Sequence, residues 1–183
     1  RNGGPAGPMQ MAMMGYAGAW WAPDRIVAET PWRHVLEEAG GISLDLGPHF
    51  FDMLRYIGGS EIASLSARTA VVEPVRYLVR DGKRVQSIAC DADDTFYCHF
   101  LNERGATGSL FGSWGGHGKS TCVGEGPTYY GSQGRICVDS LHLDGEEAPR
   151  SLAALYAEQA PADIQARQFP LGLTDDFAIA QQD

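Results

Sequence analysis

The stretch from Glu61 to about Asp144 constrains the fold of this chain most, because apolar and polar residues alternate along nearly all of its segments. A period of two residues places successive side chains on opposite faces and is typical of half-buried β-strands. The turn signals RDGKR, NERG and GSQG separate the segments. The strand-like segments are IASLSARTAVV, DTFYCHFL, GATGSLFGSWG, STCVGEG and YYGSQGRICVDS. The pattern predicts at least five strands, joined by short hairpins, in a largely antiparallel sheet.

Helical patterns lie mostly before and after this run. Gly-Gly pairs end the first two of them, and such pairs are frequent after helix C-termini. The predicted elements are a long strand at Gly7 to Trp21 and helices at residues 32–39, 43–57 and 151–159. Because these helices do not alternate with the strands, the predicted fold class is α+β, with helices packed on one face of a large open-faced sheet. The other face is left to water or to a second subunit.

Composition excludes two classes of partner. The formal net charge is -9, and the 14 Lys and Arg residues form no basic cluster, so we expect no nucleic-acid partner and no binding to anionic membranes. Apolar runs such as SLFGSWGG are far shorter than the ~20 residues of a membrane-spanning helix. The four cysteines contain no C-x-x-C pair, and three lie in strand-like segments, which favours structural thiols over disulfides or a zinc site. We therefore expect a cytoplasmic protein without a metal site.

Both ends of the chain indicate a part of a longer protein. The sequence begins with Arg1, and its last segment, LTDDFAIAQQD, begins a helical pattern that has no C-terminal signal. We expect truncation at both ends and treat residues 1–183 as a single domain.

The segment SLDLGPHFFD carries the most unusual polar residues, because two carboxylates and an imidazole interrupt an apolar stretch. At about 100° per residue, His49, Asp52 and Tyr56 fall in one stripe with Asp45, roughly 60° wide. The residues expected to dock on the sheet are Leu46, Phe50, Met53, Leu54 and Ile57.

Two interpretations of this stripe remain open. The i, i+4 spacing of Asp45 and His49 suits an acid/base pair in which the carboxylate orients the imidazole. The same residues also suit a helix cap followed by an ordinary neighbour. A metal triad is not supported, since no H-E-x-x-H or Cys/His pattern accompanies the stripe.

A family resemblance rests on WRHVLEEAGGISLDLGPHFFDMLRYIGG, followed in order by DADDTFYCHFLNERGATGSLFGSW and YYGSQGRICVDS. The first segment resembles the W-R…D-x-G-x-H-x-x-D motif in the C-terminal domain of the glucose-fructose oxidoreductase / inositol dehydrogenase / rhizopine-catabolism (Gfo/Idh/MocA) oxidoreductases. The resemblance implies an open-faced sheet that follows an N-terminal Rossmann domain and mediates formation of a homodimer or tetramer.

The resemblance also implies an activity: reversible hydride transfer between a sugar or polyol hydroxyl carbon and NAD or NADP. It makes His49 the general acid/base, with Asp45 orienting it or gripping an adjacent hydroxyl. It makes Asp52 a structural partner of Arg55, Arg33 or backbone donors. The family's E-K-P lysine motif is absent, and no G-x-G-x-x-G follows a strand, so the cofactor is expected to bind an absent domain and this chain alone to be inactive.

Other residues are candidates for lining a substrate pocket, although each also suits the core, a dimer surface or a loop. They are Trp32, Arg33, Trp114, His117, Tyr129 and Tyr130. The segment GSWGGHGKST resembles a phosphate-binding loop but has Ser113 where the motif requires Gly, so we expect a sheet connection.

Two hypotheses follow. The first is the substrate-binding and oligomerisation domain of an NAD(P)-dependent oxidoreductase. The second is a non-catalytic binding or dimerisation module on the same scaffold.

Overall fold

A computed structural model describes residues 4–18, 30–122 and 124–163. The strands are β1 (Met9–Ala17), β2 (Ile62–Ala70), β3 (Val75–Arg80), β4 (Lys83–Ala89), β5 (Thr95–Asn102), β6 (Thr107–Ser113), β7 (Thr121–Cys122), β8 (Thr128–Gly131), β9 (Gly134–Cys137), β10 (Ser140–Leu143) and β11 (Arg150–Ser151). The α-helices are α1 (Ile42–Asp45), α2 (Gly47–Gly58) and α3 (Leu152–Gln159). Single 3₁₀ turns occur at Gly4–Ala6, Pro31–His34 and Leu36–Glu38.

Within the described ranges, nine strands form one sheet in the order β11-β10-β9-β8-β1-β6-β5-β2, with β7 also paired to β1. Only β1 and β6 run parallel among the pairs of this sheet in the described part of the chain. Those two strands are far apart in sequence, and a parallel pair requires such a long connection. The large, mostly antiparallel sheet predicted from the alternating pattern is confirmed.

β3 and β4 form a separate hairpin, whose Asp-Gly turn was marked by the RDGKR signal. Asp81 and Gly82 have φ values of 50° and 73°, and both central residues of a type I′ turn need positive φ.

One face of the large sheet is covered by α1 and α2. The core between them contains Ala12, Met14, Cys98 and Leu110 from the strands, with Ile42 and Leu54 from the helices. The opposite face, here called the open face, carries side chains that alternate with these along the strands. It includes Met11, Met13, Tyr97, His99 and Leu101.

The helix predicted at residues 43–57 is broken at Leu46, so that α1 ends at Asp45 and α2 begins at Gly47. Pro48 lies in the first turn of α2, where its missing N–H would have no helical partner in any case. Leu54 is buried as predicted, whereas the prediction that Met53 docks on the sheet is wrong, since Met53 is exposed.

The first predicted helix, at residues 32–39, consists instead of two 3₁₀ turns, the second ending where Ala39 has a φ of 60°. The predicted strand at Gly7 to Trp21 corresponds to β1, and its last three residues lie outside the described residues, as does the helix predicted at the C-terminus. Within the described ranges, no helix is long and apolar enough to cross a membrane.

Candidate functional site

Asp45, the last residue of α1, accepts a hydrogen bond from Arg33 rather than from His49. Arg33 Nε lies 3.1 Å from Asp45 Oδ2, and both side chains are about a quarter exposed. Trp32 covers the guanidinium, with Arg33 Cζ 4.8 Å from the centre of the indole ring. The Trp-Arg dipeptide and Asp45, predicted as separate site residues, are therefore brought together in one ion-paired group.

Gly41 allows the 3₁₀ turns to fold back onto α1. Gly41 has a φ of 123°, a conformation that disfavours other residues, and a Cβ there would clash with Asp93 Oδ1. Its N–H donates to Arg33 O at 2.9 Å. This backbone bond sets the position of Arg33 relative to the helix that carries Asp45.

The loop Asp91–Asp94, which precedes β5, holds three parts of the chain through three carboxylates. Asp91 accepts from Leu36 N at 2.8 Å, and Asp93 accepts from both N and Oγ of Ser43 at 3.0 Å. Because Gly41 at the N-cap of α1 has no side chain to cap the helix, Asp93 supplies the cap from a distant segment. Asp94 accepts from the backbone N–H groups of Val72 and Glu73, both at 2.8 Å.

Arg76 and Asp94 form a buried ion pair behind this loop. Arg76 Nη2 lies 3.3 Å from Asp94 Oδ2, and the two side chains are 0% and 2% exposed. Arg76 Nε and Nη1 have no hydrogen-bond partner among the residues that the structure describes. An isolated buried charge is costly, so this carboxylate is needed to keep the guanidinium in the core.

His34 lies in the same buried region, edge-on to Trp114 with ring centres 6.0 Å apart. Burial is the main cause that lowers the pKa of His34 to about 4, and the positive charge of Arg76 adds to it. His34 is therefore neutral near pH 7.

A histidine–carboxylate pair lies beyond Trp114, in the loops after β2 and β6. His117 Nε2 is hydrogen-bonded to Glu73 Oε1. The His117 side chain is 63% exposed and that of Glu73 16%.

His49 is exposed on the outer side of α2 and forms no hydrogen bond or ion pair within the described parts of the chain. Because the helix breaks at Leu46, Asp45 and His49 belong to different helices, and the hydrogen bond suggested by their spacing is not formed. Asp52 pairs with Arg55, Oδ1 to Nη1 at 3.2 Å, which is one of its three predicted partners.

Trp114 and Tyr129 belong to the hydrophobic core, being 3% and 7% exposed. Tyr129 donates to Met14 Sδ at 3.4 Å, and burial raises its pKa to about 12. A substrate contact by either residue stays a prediction.

All four cysteines are free thiols, three of them buried. In the ranges that the structure describes, no three His, Cys, Asp or Glu side chains are grouped closely enough to hold a metal ion.

Sequence reasoning missed the residues that hold the site together: His34, Glu73, Arg76, Asp93 and Asp94. The signal for two of them was the run DADD directly before a strand, since carboxylates at a strand start commonly accept backbone hydrogen bonds. Glu73 and Arg76 had no such signal, because their partners are 18 or more residues away.

A family model described as the GFO/IDH/MocA C-terminal domain matches residues 5–137. No curated protein matches the sequence.

Solved structures resemble the fold at low sequence identity. Levoglucosan dehydrogenase in complex with NADH and L-sorbose is 24% identical, with a TM-score of 0.63 over 81% of this chain and 41% of that one. A super-repressor mutant of Gal80p from Saccharomyces cerevisiae is 16% identical, with a TM-score of 0.63 over 80% of this chain and 39% of that one. An oxidoreductase domain protein from Kribbella flavida is 20% identical, with a TM-score of 0.59 over 82% and 37%. The chain thus spans about two fifths of the length of these proteins.

Proposed function

The chain belongs to the GFO/IDH/MocA family, as its C-terminal domain, and from this premise we propose that residues 1–183 are the substrate-binding, catalytic and oligomerisation domain of an NAD(P)-dependent oxidoreductase acting on a sugar or polyol hydroxyl. The observation that carries the proposal is Asp45, fixed by Arg33 at the end of α1, with the exposed His49 at the start of the next helix. The ligand class is supported by the likeness to a levoglucosan dehydrogenase bound to NADH and L-sorbose.

The chemistry requires a proton acceptor. Loss of hydride from a C–OH carbon leaves a protonated carbonyl unless the hydroxyl proton moves to a base in the same step. The His49 imidazole suits this role, because it is exposed and neither ring nitrogen is bonded to another described residue. The same imidazole returns the proton in the reverse direction.

Asp45 has the different role of holding the substrate. Arg33 Nε occupies its Oδ2, and Oδ1 has no hydrogen-bond partner among the described residues. Oδ1 is therefore available to accept a hydrogen bond from a hydroxyl of the substrate. Arg33 and Trp32 fix the direction of the carboxylate and complete this part of the site.

The nicotinamide, when bound, supplies the hydride acceptor. This sequence contains no G-x-G-x-x-G fingerprint after a strand, so its residues do not suit a dinucleotide site. We therefore assign this chain the substrate and the proton, and we expect the 183-residue chain alone to be inactive.

Site-directed variants of the full-length protein test the proposal. His49→Ala is expected to lower kcat/KM for sugars or polyols about 100-fold or more, the usual contribution of a general base. Asp52→Asn is the matched control, because Asp52 is exposed on the same helix and, among the described residues, its side chain is hydrogen-bonded to Arg55 alone. Near-wild-type turnover of His49→Ala would rule out the acid/base role.

The second candidate function is a non-catalytic binding module. The absence of an Asp45–His49 hydrogen bond favours it, as does the likeness to a super-repressor mutant of Gal80p. A full-length protein that binds sugars yet oxidises none of them with either NAD⁺ or NADP⁺ would support it over the first proposal.

The open face supports the proposed oligomerisation. Tyr97 stacks on Phe111 with ring centres 5.5 Å apart, and Met11, Met13 and Leu101 are exposed on the strands of this face. Aromatic residues and Met are enriched in protein interfaces, whereas Lys, Glu and Asp are depleted. We propose a homodimer or tetramer formed through this face.

A further inference from the structure

We propose that Glu73 and His117 form a second polar element of the substrate site, in which Glu73 orients the His117 imidazole toward a ligand hydroxyl. For the class of ligand, this inference rests on the proposed function. For the pair itself, it rests on four observations.

The first observation is the geometry of the pair. The Glu73 carboxylate, only 16% exposed, holds Nε2 of an imidazole that is 63% exposed. A carboxylate on one ring nitrogen makes that nitrogen the donor, so the neutral ring presents Nδ1 as an acceptor. Nδ1 has no hydrogen-bond partner among the described residues and is available to a ligand.

The second observation is the rigid support behind Glu73. Its backbone N–H donates to Asp94 Oδ2 at 2.8 Å, and the neighbouring Val72 N–H donates to Asp94 Oδ1 at the same distance. Asp94 is in turn held by Arg76, with both side chains almost fully buried. A site must hold its polar groups in a fixed geometry, and this network does so for Glu73.

The third observation is that the same buried pair also supports the loop of His117. Trp114 N donates to Asp94 O at 2.8 Å, and Arg76 Nη2 donates to Trp114 O at 3.4 Å. Gly115 packs against Val72, since a Cβ at Gly115 would lie 3.2 Å from Val72 Cβ. The buried Arg76–Asp94 ion pair thus fixes the positions of both Glu73 and His117. The exposed Glu73–His117 pair contributes little to stability by itself.

The fourth observation links this pair to Asp45. Asp93 caps α1, whose last residue is Asp45, and the next residue in the chain, Asp94, holds Glu73. His34, next to Arg33 in sequence, packs edge-on against Trp114. The loop Asp91–Asp94 therefore positions both Asp45 and the Glu73–His117 pair at the same end of the sheet.

Together these groups are suited to a ligand with several hydroxyls. Asp45 Oδ1 and His117 Nδ1 are both acceptors, and each hydroxyl of a polyol can donate to one of them. Glu73 is a positioning residue, because its own role is to fix the ring of His117. The pair would select among sugars by requiring a hydroxyl opposite Nδ1.

NMR titration of the 183-residue chain with L-sorbose and with levoglucosan tests the inference, because it measures even millimolar affinities. Long-range ¹H–¹⁵N spectra of the histidine rings report the tautomer of His117. We expect Nε2–H in the wild type, a shift of the His117 ring signals on sugar addition, and a mixed tautomer in Glu73→Gln. His117→Gln and Glu73→Gln should each weaken sugar binding about tenfold, the loss expected for one oriented hydrogen bond.

His99→Gln is the matched control, because His99 is also exposed and hydrogen-bonded, to Ser109, but lies on the open face. It should leave sugar binding unchanged. Unchanged affinity in a folded His117→Gln variant, with sugar shifts confined to His49, would overturn the inference and leave the proposed function standing. Failure of the folded wild type to bind either sugar would also overturn the inference, whereas the proposed function is tested separately by the kinetics of His49→Ala in the full-length protein.

Discussion

At the scale of single residues, His34 makes the stability of the protein depend on pH. Its pKa is lowered from 6.5 to about 4 in the folded chain, so between these values the unfolded chain binds a proton that the folded chain does not. The contribution of the neutral His34 imidazole to the free energy of unfolding is fully present above pH 6.5 and is lost as the pH falls towards 4. Urea unfolding at pH 7.5 and pH 5 should show a loss of about 2 kcal/mol from this group.

The variant His34→Phe isolates that contribution, because it keeps a ring against Trp114 and removes the titration. Its free energy of unfolding should change about 2 kcal/mol less between the two pH values than that of the wild type. An exposed histidine gives the control, and His99→Phe should keep the wild-type dependence. If His34→Phe shows the same pH dependence as the wild type, the buried imidazole is not the source of that dependence.

Individual pairs were predictable where the partners lie close in sequence. Asp52 and Arg55 are three residues apart on one helix, where such ion pairs form, and Arg55 was one of the three partners predicted for Asp52. Asp45 and Arg33 are 12 residues apart, and the two segments meet only because Gly41 adopts a positive φ. The sequence supplied both residues as candidates, whereas their contact depends on a turn whose geometry no local pattern specified.

At the scale of elements, α1 depends on a cap from another part of the chain. Asp93 accepts two hydrogen bonds from Ser43, and the N-cap Gly41 has no side chain. Asp93→Ala should lower the free energy of unfolding by about 1–2 kcal/mol, the usual effect of losing a cap. Chemical denaturation measures this difference.

Two variants separate capping from other effects of the same site. Asp93→Asn keeps an acceptor oxygen and should retain most of the stability. Ser43→Ala removes the bond to Oγ but leaves the backbone bond to Asp93, so its effect should be smaller than that of Asp93→Ala. Equal stability of Asp93→Ala and the wild type would show that the cap does not stabilise α1.

Strands and turns were more predictable than the helices. Alternation in TFYCHFLN gives β5 a burial pattern with a period of two, and the Asp-Gly turn between β3 and β4 follows from the φ angles those residues tolerate. The break at Leu46 arises because Pro48 cannot donate a backbone hydrogen bond. Local propensities indicated only the proline, and the residue at which the helix restarts is set by packing on the sheet.

At the scale of the whole molecule, the two faces of the sheet divide the functions proposed here. The helices on the covered face carry Asp45 and His49, and the loop ends of the strands carry Glu73 and His117. The open face carries none of these residues. Substrate binding and oligomerisation are therefore expected to respond to different substitutions.

Tyr97→Glu provides the test of the open face. Tyr97 is 59% exposed in the middle of β5 and stacks on Phe111, so a carboxylate there would be desolvated in any interface formed through this face. Light scattering coupled to size-exclusion chromatography should show a dimer or tetramer for the wild type and a monomer for Tyr97→Glu, with little change in Tm. Tyr56→Glu is the control, because Tyr56 is 90% exposed on α2 and should leave the assembly intact. A wild type that is monomeric at micromolar concentration, or a Tyr97→Glu variant that assembles normally, would contradict the proposed interface, since burying an unpaired carboxylate costs more than such an interface tolerates.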